Sequence, residues 1–438
     1  MADRDPLRRS AADPFLAGPG ESAGWFGVGY GWYIVVITAL TTMLVVGSTN
    51  YSFGLFVRPV SAELGLARAT VNTGLILFLA GTAVFGPFVG RILDRYSMRA
   101  VALVGAVLFG GGMALIGLSS SVVLMGLSIL LPVSIGALCC GGLFASVVVA
   151  RWFDGLRGRA LAISAIGTSL GGLVVFPIVN LLVTELGWRM ALVAVGFGVW
   201  LIVSGLALLL RQPPPAEADE RRPQRRPRDP AWPLKAVLRS FDFWIVSTAI
   251  SLMLAIDGAL LVTVTPYVQD RGFSTEQVNW LSITMTASAI LGKIVIAGIA
   301  DRTDLRVLTA FTASLGIVQC GVLLLTPSFT LLLVTDCLAG MAVGGTYPMF
   351  SALVAERFGT AAYGWVRGLM SPMVALLGSA AVYFVGAVHD AEHSYQTAFL
   401  VFLVGAAGAI ALIMTLKKQQ PPAPSGVPKA APVSGATL

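Results

Sequence analysis

The sequence predicts an all-α membrane protein with twelve transmembrane helices arranged as two pseudo-symmetric bundles of six. Three observations predict it. The first is composition. Of 438 residues 56% are hydrophobic and only 12% charged, with a mean hydropathy of +0.83, whereas soluble domains carry about 25% charged residues. The second is a count of apolar runs of about 20 residues, the length that crosses a bilayer. They fall at 31–56, 70–91, 99–119, 122–150, 158–182, 188–210, 243–268, 278–299, 307–326, 328–353, 366–388 and 396–416. The third is a repeated loop motif that divides these runs six and six.

Taken in order, residues 1–30 form a polar tail, 31–210 the first bundle, 211–242 a linker, 243–416 the second bundle and 417–438 a second tail. The first thirty residues hold Arg4, Arg8 and Arg9 but no apolar core, so no cleavable signal is expected. If both tails lie on one side, 24 of the 29 basic residues fall in tails and loops of that side. The opposite side holds Arg58, Arg68, Arg189 and Arg271, and Lys293 lies in the membrane. Enrichment of Lys and Arg in cytoplasmic loops then places both termini in the cytoplasm of a cell (inner) membrane. The net charge of +7 reflects these loops and does not indicate nucleic-acid binding. The linker, rich in Pro and Arg, reads as a tether beside anionic lipid. Cys139, Cys140, Cys320 and Cys337 all fall inside apolar runs, where neither a disulfide framework nor a metal cage is expected.

The repeat is Gly90-Arg-Ile-Leu-Asp94-Arg95-Tyr-Ser-Met-Arg99 after span 2 and Ala297-Gly-Ile-Ala-Asp301-Arg302-Thr-Asp-Leu-Arg306 after span 8. Arg151-Trp152-Phe153 and Arg357-Phe358 echo each other after spans 4 and 10. Parallel repeats of six spans put the substrate between the halves near the midplane. With this loop at both positions, the chain resembles the major facilitator superfamily over spans 1–12. The resemblance implies that Gly90, Asp94, Arg95, Arg99, Asp301, Arg302 and Arg306 form a cytoplasmic gate that holds the outward-facing state. Further stretches resemble the monocarboxylate porters and the oxalate/formate antiporters: Gly31-Trp32-Tyr33 opening span 1, Arg157-Gly158-Arg159-Ala160 with Gly167, Gly171 and Pro177 in span 5, and Gly187-Trp188-Arg189 before span 6.

The candidate site centres on Lys293. A cation in the hydrocarbon costs about 2.5–3.5 kcal/mol on insertion scales, and intramembrane charges are usually functional. Lys293 stands where both families keep an arginine that the resemblance implies holds the substrate carboxylate. A lysine keeps the charge without the bidentate fork. Binding of an anion, a structural ion pair and snorkelling of the ammonium to water all fit the sequence. The porters place an Asp one turn earlier, where this chain has Ala289, so Asp257 in span 7 and Asp336 in span 10 become the proton-coupling candidates. The antiporters add a cation in span 11, and Gly368–Val388 contains none. One cation fits a monoanion better than a dianion.

Tyr51 and Asn50 in span 1, Tyr347 in span 10 and Tyr383 in span 11 are polar groups at membrane depth that could orient a carboxylate, although such residues more often join helices. His389 and His393 read as a solvated loop. No enzyme constellation is present in the pattern and no cofactor is expected. The expected function is a secondary transporter of a small organic monoanion such as lactate or pyruvate, proton-coupled, working by alternating access and as a monomer in the bilayer. The alternatives are an organic-anion exchanger, an efflux porter for another solute, or a non-transporting sensor on the same fold.

Overall fold

The structure, a computed structural model, describes residues 29–153, 156–211, 233–325 and 328–417. Most of both tails and of the linker expected at 211–242 therefore lies outside the described residues. Among those described, ten helical runs are long and apolar enough to cross a membrane. The count of twelve is reached by two further readings. Arg157–Leu208 is one run of 52 residues that turns at Gly187, whose φ of +74° suits glycine; it holds spans 5 and 6. In span 8 (Thr275–Ile299) the apolar part, Ile283–Ile299, is shorter than a full crossing.

Helix packing follows an approximate two-fold relation. Span 3 (Met98–Leu118) lies along span 6, as span 9 (Leu305–Leu323) lies along span 12 (Gln396–Met414). Span 1 packs on span 5 as span 7 (Phe241–Asp270) packs on span 11 (Tyr363–Glu392). The halves meet through span 2 (Arg68–Arg95) against span 11, and span 5 against span 8. These are the same contact under exchange of the halves.

Span 1 is not a uniform helix. Tyr30–Val46 opens into a wide turn, Gly47–Tyr51, before continuing as Phe53–Leu64. The Ser52 amide reaches back five residues to the Gly47 carbonyl (3.1 Å), and its hydroxyl bonds the same oxygen. A similar widening, Ile129–Val133, surrounds Pro132 in span 4, where a ring replaces an amide donor. A third, Gly171–Val175, interrupts span 5 opposite the first. Such widened turns are frequent at functional sites. Here the first carries Asn50 and Tyr51.

Candidate functional site

The motif loops define what is called here the gate face, the end where the halves are locked. Asp94 accepts hydrogen bonds from the Gly364 and Trp365 amides (3.0 and 2.6 Å) at the start of span 11. Asp301 accepts from the Gly158 and Arg159 amides (2.7 and 3.1 Å) at the start of span 5. Each carboxylate thus caps a helix N-terminus of the other half, where unpaired amides and the helix dipole favour an anion. Burial raises the Asp301 carboxyl above its ordinary value, while the two amide bonds oppose that shift.

The other gate residues divide into two kinds. Arg99 donates to the Leu210 carbonyl at the end of span 6, and Arg306 to the Leu416 carbonyl at the end of span 12. These are equivalent ties, each inside its own half. Arg95 and Arg302 are exposed, and their side chains make no hydrogen bond or ion pair among the described residues. Gly90 permits the closest approach: a Cβ there would lie 2.0 Å from the Gly364 carbonyl oxygen. The Arg91 guanidinium crosses the same seam to sit 4.2 Å from the Trp365 ring centre. Arg151, named in the sequence only as part of the span 4 echo, pairs with Asp94 at 3.3 Å, and the capping amides carry no side-chain signature.

Lys293 lies deeper in the same seam. It is 4% exposed, and its ammonium donates to Thr168 Oγ1 and Ser169 Oγ of span 5, both at 2.6 Å. Side chains tilt toward the N-terminus of their helix, which for span 8 is the end away from the gate. The lysine accordingly reaches toward the middle of the bundle. Among the described residues it has no carboxylate partner. Of the three readings open in the sequence, the structure therefore supports neither snorkelling nor an ion pair.

Thr168 belongs to a stripe at four-residue spacing on span 5. Ser164 exchanges a hydrogen bond with Thr38 of span 1 (2.8 Å), Thr168 holds Lys293, and Gly172 faces the Tyr51 ring. Tyr51 and Lys293 therefore meet span 5 about one turn, roughly 6 Å, apart. Tyr51 is 43% exposed and Asn50 is exposed beside it. Sequence reading did not single out Thr168 and Ser169; their signal was a run of small and hydroxylated residues in an otherwise apolar span.

The carboxylates lie within the second half. Asp257 accepts from Thr346 Oγ1 of span 10 (3.0 Å). Asp336 is 2% exposed and accepts from Gln319 Nε2 of span 9 (3.3 Å), with its other oxygen and the Gln319 carbonyl oxygen buried and unpartnered. Among the described residues span 9 packs chiefly on spans 10 and 12, and Asp336 is turned to span 9. Tyr347, next to Thr346, is 50% exposed. Tyr383 is 78% exposed, and no hydrogen bond or ring contact among the described residues ties it to the others. His389 belongs to the last turn of span 11 rather than to a loop, and its ring lies 3.7 Å from Asp270.

One correction concerns charge. Arg367 falls inside the apolar run 366–388 but one residue before the Gly368–Val388 stretch that holds no cation. It is four residues inside that helix, 9% exposed, with its guanidinium 3.4 Å from the centre of the Phe350 ring. Span 11 therefore carries a buried cation near the gate face, so the count of cations no longer favours a monoanion over a dianion. A separate apolar space of about 200 Å³ lies wholly within the first half, among Phe56, Leu77, Met113, Met125, Ile129 and Leu192, and includes none of the candidate residues.

Two like halves, a locked gate face and a polar seam between them define a transporter that moves its solute between bundles. The chain belongs to the Major Facilitator Superfamily, whose profile matches residues 37–383 and 267–436. It is 24% identical to the uncharacterized MFS-type transporter YcxA of Bacillus subtilis, over 89% of this chain and 96% of that one. It is also 24% identical to monocarboxylate transporter 12 of Rattus norvegicus, over 60% of each chain. To the oxalate:formate antiporter of Oxalobacter formigenes it is again 24% identical, over 58% of this chain and 59% of that one. Among solved structures, the human organic anion transporter MFSD10 superposes with a TM-score of 0.66 at 17% identity, covering 87% of this chain and 99% of that one. The proton:xylose symporter XylE gives 0.68 at 15% identity, covering 88% and 95%. At these identities the structures show the fold alone.

Proposed function

We propose that the protein is a proton-coupled secondary transporter of a small organic anion carrying a carboxylate, with monocarboxylates such as lactate or pyruvate as first candidates, acting by alternating access. The observation that carries this reading is Lys293: a buried ammonium on the seam between the halves, held by neutral hydroxyls and by no carboxylate. A carboxylate accepts a stronger, charge-assisted hydrogen bond than a hydroxyl does. An arriving anion would therefore displace Thr168 and Ser169 from the ammonium and loosen the tie between spans 5 and 8. Two of the similar proteins are by name a monocarboxylate transporter and an oxalate:formate antiporter, which supports an organic anion as cargo.

With the gate face in the cytoplasm, as the distribution of arginines supports, the arrangement corresponds to a cleft open to the outside. The hydrogen bonds that cross between halves, among the described residues, lie at the gate face or at Lys293. Tyr51 and Asn50 would orient the solute above Lys293, and Tyr347 would face it from span 10. Asp257 is the better placed proton carrier, because it bonds span 10 beside Tyr347, while Asp336 is turned to span 9. One chain supplies both walls, which supports function as a monomer in the cell membrane. The test is uptake of radiolabelled lactate, pyruvate and formate into proteoliposomes under an imposed pH gradient. Uptake that needs Lys293 and follows the gradient supports the reading; uptake unchanged in Lys293→Ala overturns it.

A further inference from the structure

The two halves repeat one device at the gate face, and only the second half supplies its own anion. There Asp304 precedes span 9, and Arg306 donates to the Leu416 carbonyl at the end of span 12. The Asp304 carboxylate completes the device. It accepts from the Arg306 amide (3.0 Å), from Nε (3.0 Å) and from Nη2 of the same guanidinium (2.6 Å). One carboxylate thus serves a helix N-terminus and an arginine together, and both favour negative charge.

The first half has the same helix start and the same arginine. Counted from Asp94 and Asp301 of the repeat, Ser97 corresponds to Asp304 and Arg99 to Arg306. Arg99 Nη2 donates to the Leu210 carbonyl at 3.0 Å, which repeats the Leu416 tie. Ser97 holds the N-cap position of span 3 with nearly the backbone of Asp304, φ −61° and ψ 128° against −59° and 117°. Its hydroxyl caps no amide, and a short neutral side chain offers nothing to a guanidinium. Among the described residues Nε and Nη1 of Arg99 have no acceptor. Asp94, the nearest carboxylate in sequence, is committed to the Gly364 and Trp365 amides and to Arg151.

The surroundings say which anion fits. Ser97, Met98, Arg99, Leu210 and Arg211 line a space of about 320 Å³, with two cations and no carboxylate in its wall. The Arg211 guanidinium lies over the Tyr30 ring, 5.2 Å from its centre. Two arginines from different helix ends call for an oxyanion with several acceptor oxygens, and the guanidinium fork matches phosphate. With the gate face in the cytoplasm, this space is level with the headgroups of the leaflet that holds anionic lipid. Leu208 and Leu209, just before it in the chain, are 59% and 58% exposed and offer apolar surface to a lipid tail.

We infer that Ser97, Arg99 and Arg211 form a binding site for a phosphate group, carried by a bilayer lipid or free in solution. The bound phosphate fixes the Arg99 guanidinium and caps span 3, as Asp304 does for Arg306 and span 9. The site lies off the transport path and does not depend on the nature of the cargo.

The test uses the full chain in phosphate-free detergent, with chloride at matched ionic strength as control, and reads thermal unfolding. Inorganic phosphate and phosphatidylglycerol in mixed micelles are added separately. At about ten times its Kd a probe that binds should raise the melting temperature by about 2 °C or more. A rise with inorganic phosphate identifies a free anion, and a rise with the lipid alone identifies a headgroup. Ser97→Asp, which copies the second half, should melt higher than the parent chain without either probe and gain nothing from them. Arg99→Gln also loses the Leu210 tie, so only its response to the probes is read, and that response should vanish. Arg211→Gln, at an exposed position, should need about tenfold more probe for the same rise. A parent chain that responds to neither probe overturns the inference. So does a response that Ser97→Asp and Arg211→Gln both keep in full, which places the anion elsewhere on the basic face.

Discussion

Lys293 of span 8 and Thr168 of span 5 are joined at 2.6 Å across the seam between the halves, and Ser169 doubles the tie. The bond is the deepest of those that hold the halves together, and the only acceptors it offers the ammonium are neutral. A transporter needs such a contact to be strong enough to order the seam and weak enough for a substrate to replace.

Replacing Lys293 by Gln is expected to lower lactate uptake by about tenfold or more, since hydrogen bonds to charged groups contribute about 1.5–3 kcal/mol. The folded protein should survive, because a buried charge without a counter-ion is removed. Uptake assays paired with thermal unfolding separate the two effects. The double variant Thr168→Val with Ser169→Ala should do the reverse to stability. It strips acceptors from a buried ammonium, and an unsatisfied charged group of this kind costs about 1–3 kcal/mol or more, which would appear as a lower melting temperature.

Gly90→Ala should prevent full closure of the gate face. The added methyl would fall 2.0 Å from the Gly364 carbonyl oxygen, which is backbone and cannot swing aside. Spin labels on the gate-face loops of spans 2 and 11 should then report a longer distance in the variant than in the parent. An unchanged distance would mean that the halves slide to accommodate the methyl.

Asp257→Asn should uncouple transport. Uptake driven by a pH gradient is expected to fall about tenfold, while exchange of lactate at equal pH on both sides persists, because the neutral amide mimics a protonated carboxyl that cannot release its proton. Asp336→Asn should leave coupling intact, since that carboxyl bonds Gln319 inside the second half. Measuring both variants with a pH-sensitive dye and labelled lactate decides which carboxylate carries the proton.

At the far end of the first half, Glu63 accepts from Trp188 Nε1 and, at 2.8 Å, from Arg189 Nε, and Arg189 also donates to the Gly117 carbonyl at 3.2 Å. The Arg189 hydrogen bond, followed by that of Trp188, holds the Glu63 carboxyl below its ordinary value. A lowered acid contributes stability that is present above its unfolded pKa and disappears as pH falls through the folded one. The melting-temperature difference between the protein and Glu63→Gln should therefore be present at neutral pH, begin to shrink below the ordinary glutamate range, and vanish at still lower pH. A difference that persists in strong acid would show that packing, not charge, ties Trp188 to this helix.

Much of this arrangement can be read from residue order. Apolar length and the distribution of arginines are one-dimensional properties, and the Asp94 and Asp301 loops mark equivalent places in two halves because the repeat is written in the chain. The exceptions are instructive. Spans 5 and 6 follow each other with no loop between them because Gly187, at φ +74° and ψ 162°, breaks the helix within a single residue. Arg367, at the edge of an apolar run, looks like a loop cation until the helix is seen to start at Tyr363.

The sequence by itself determined a membrane chain of repeated helical halves, the gate motif and the position of a buried cation in span 8, because each depends on hydropathy and spacing along one strand of residues. Only the tertiary structure decided what those groups touch. That Asp94 and Asp301 cap helices of the opposite half, that Lys293 meets hydroxyls and not a carboxylate, and that Arg367 lies on Phe350 all depend on which helix faces meet. Contacts between residues more than a hundred positions apart are set by packing, and no local pattern encodes them.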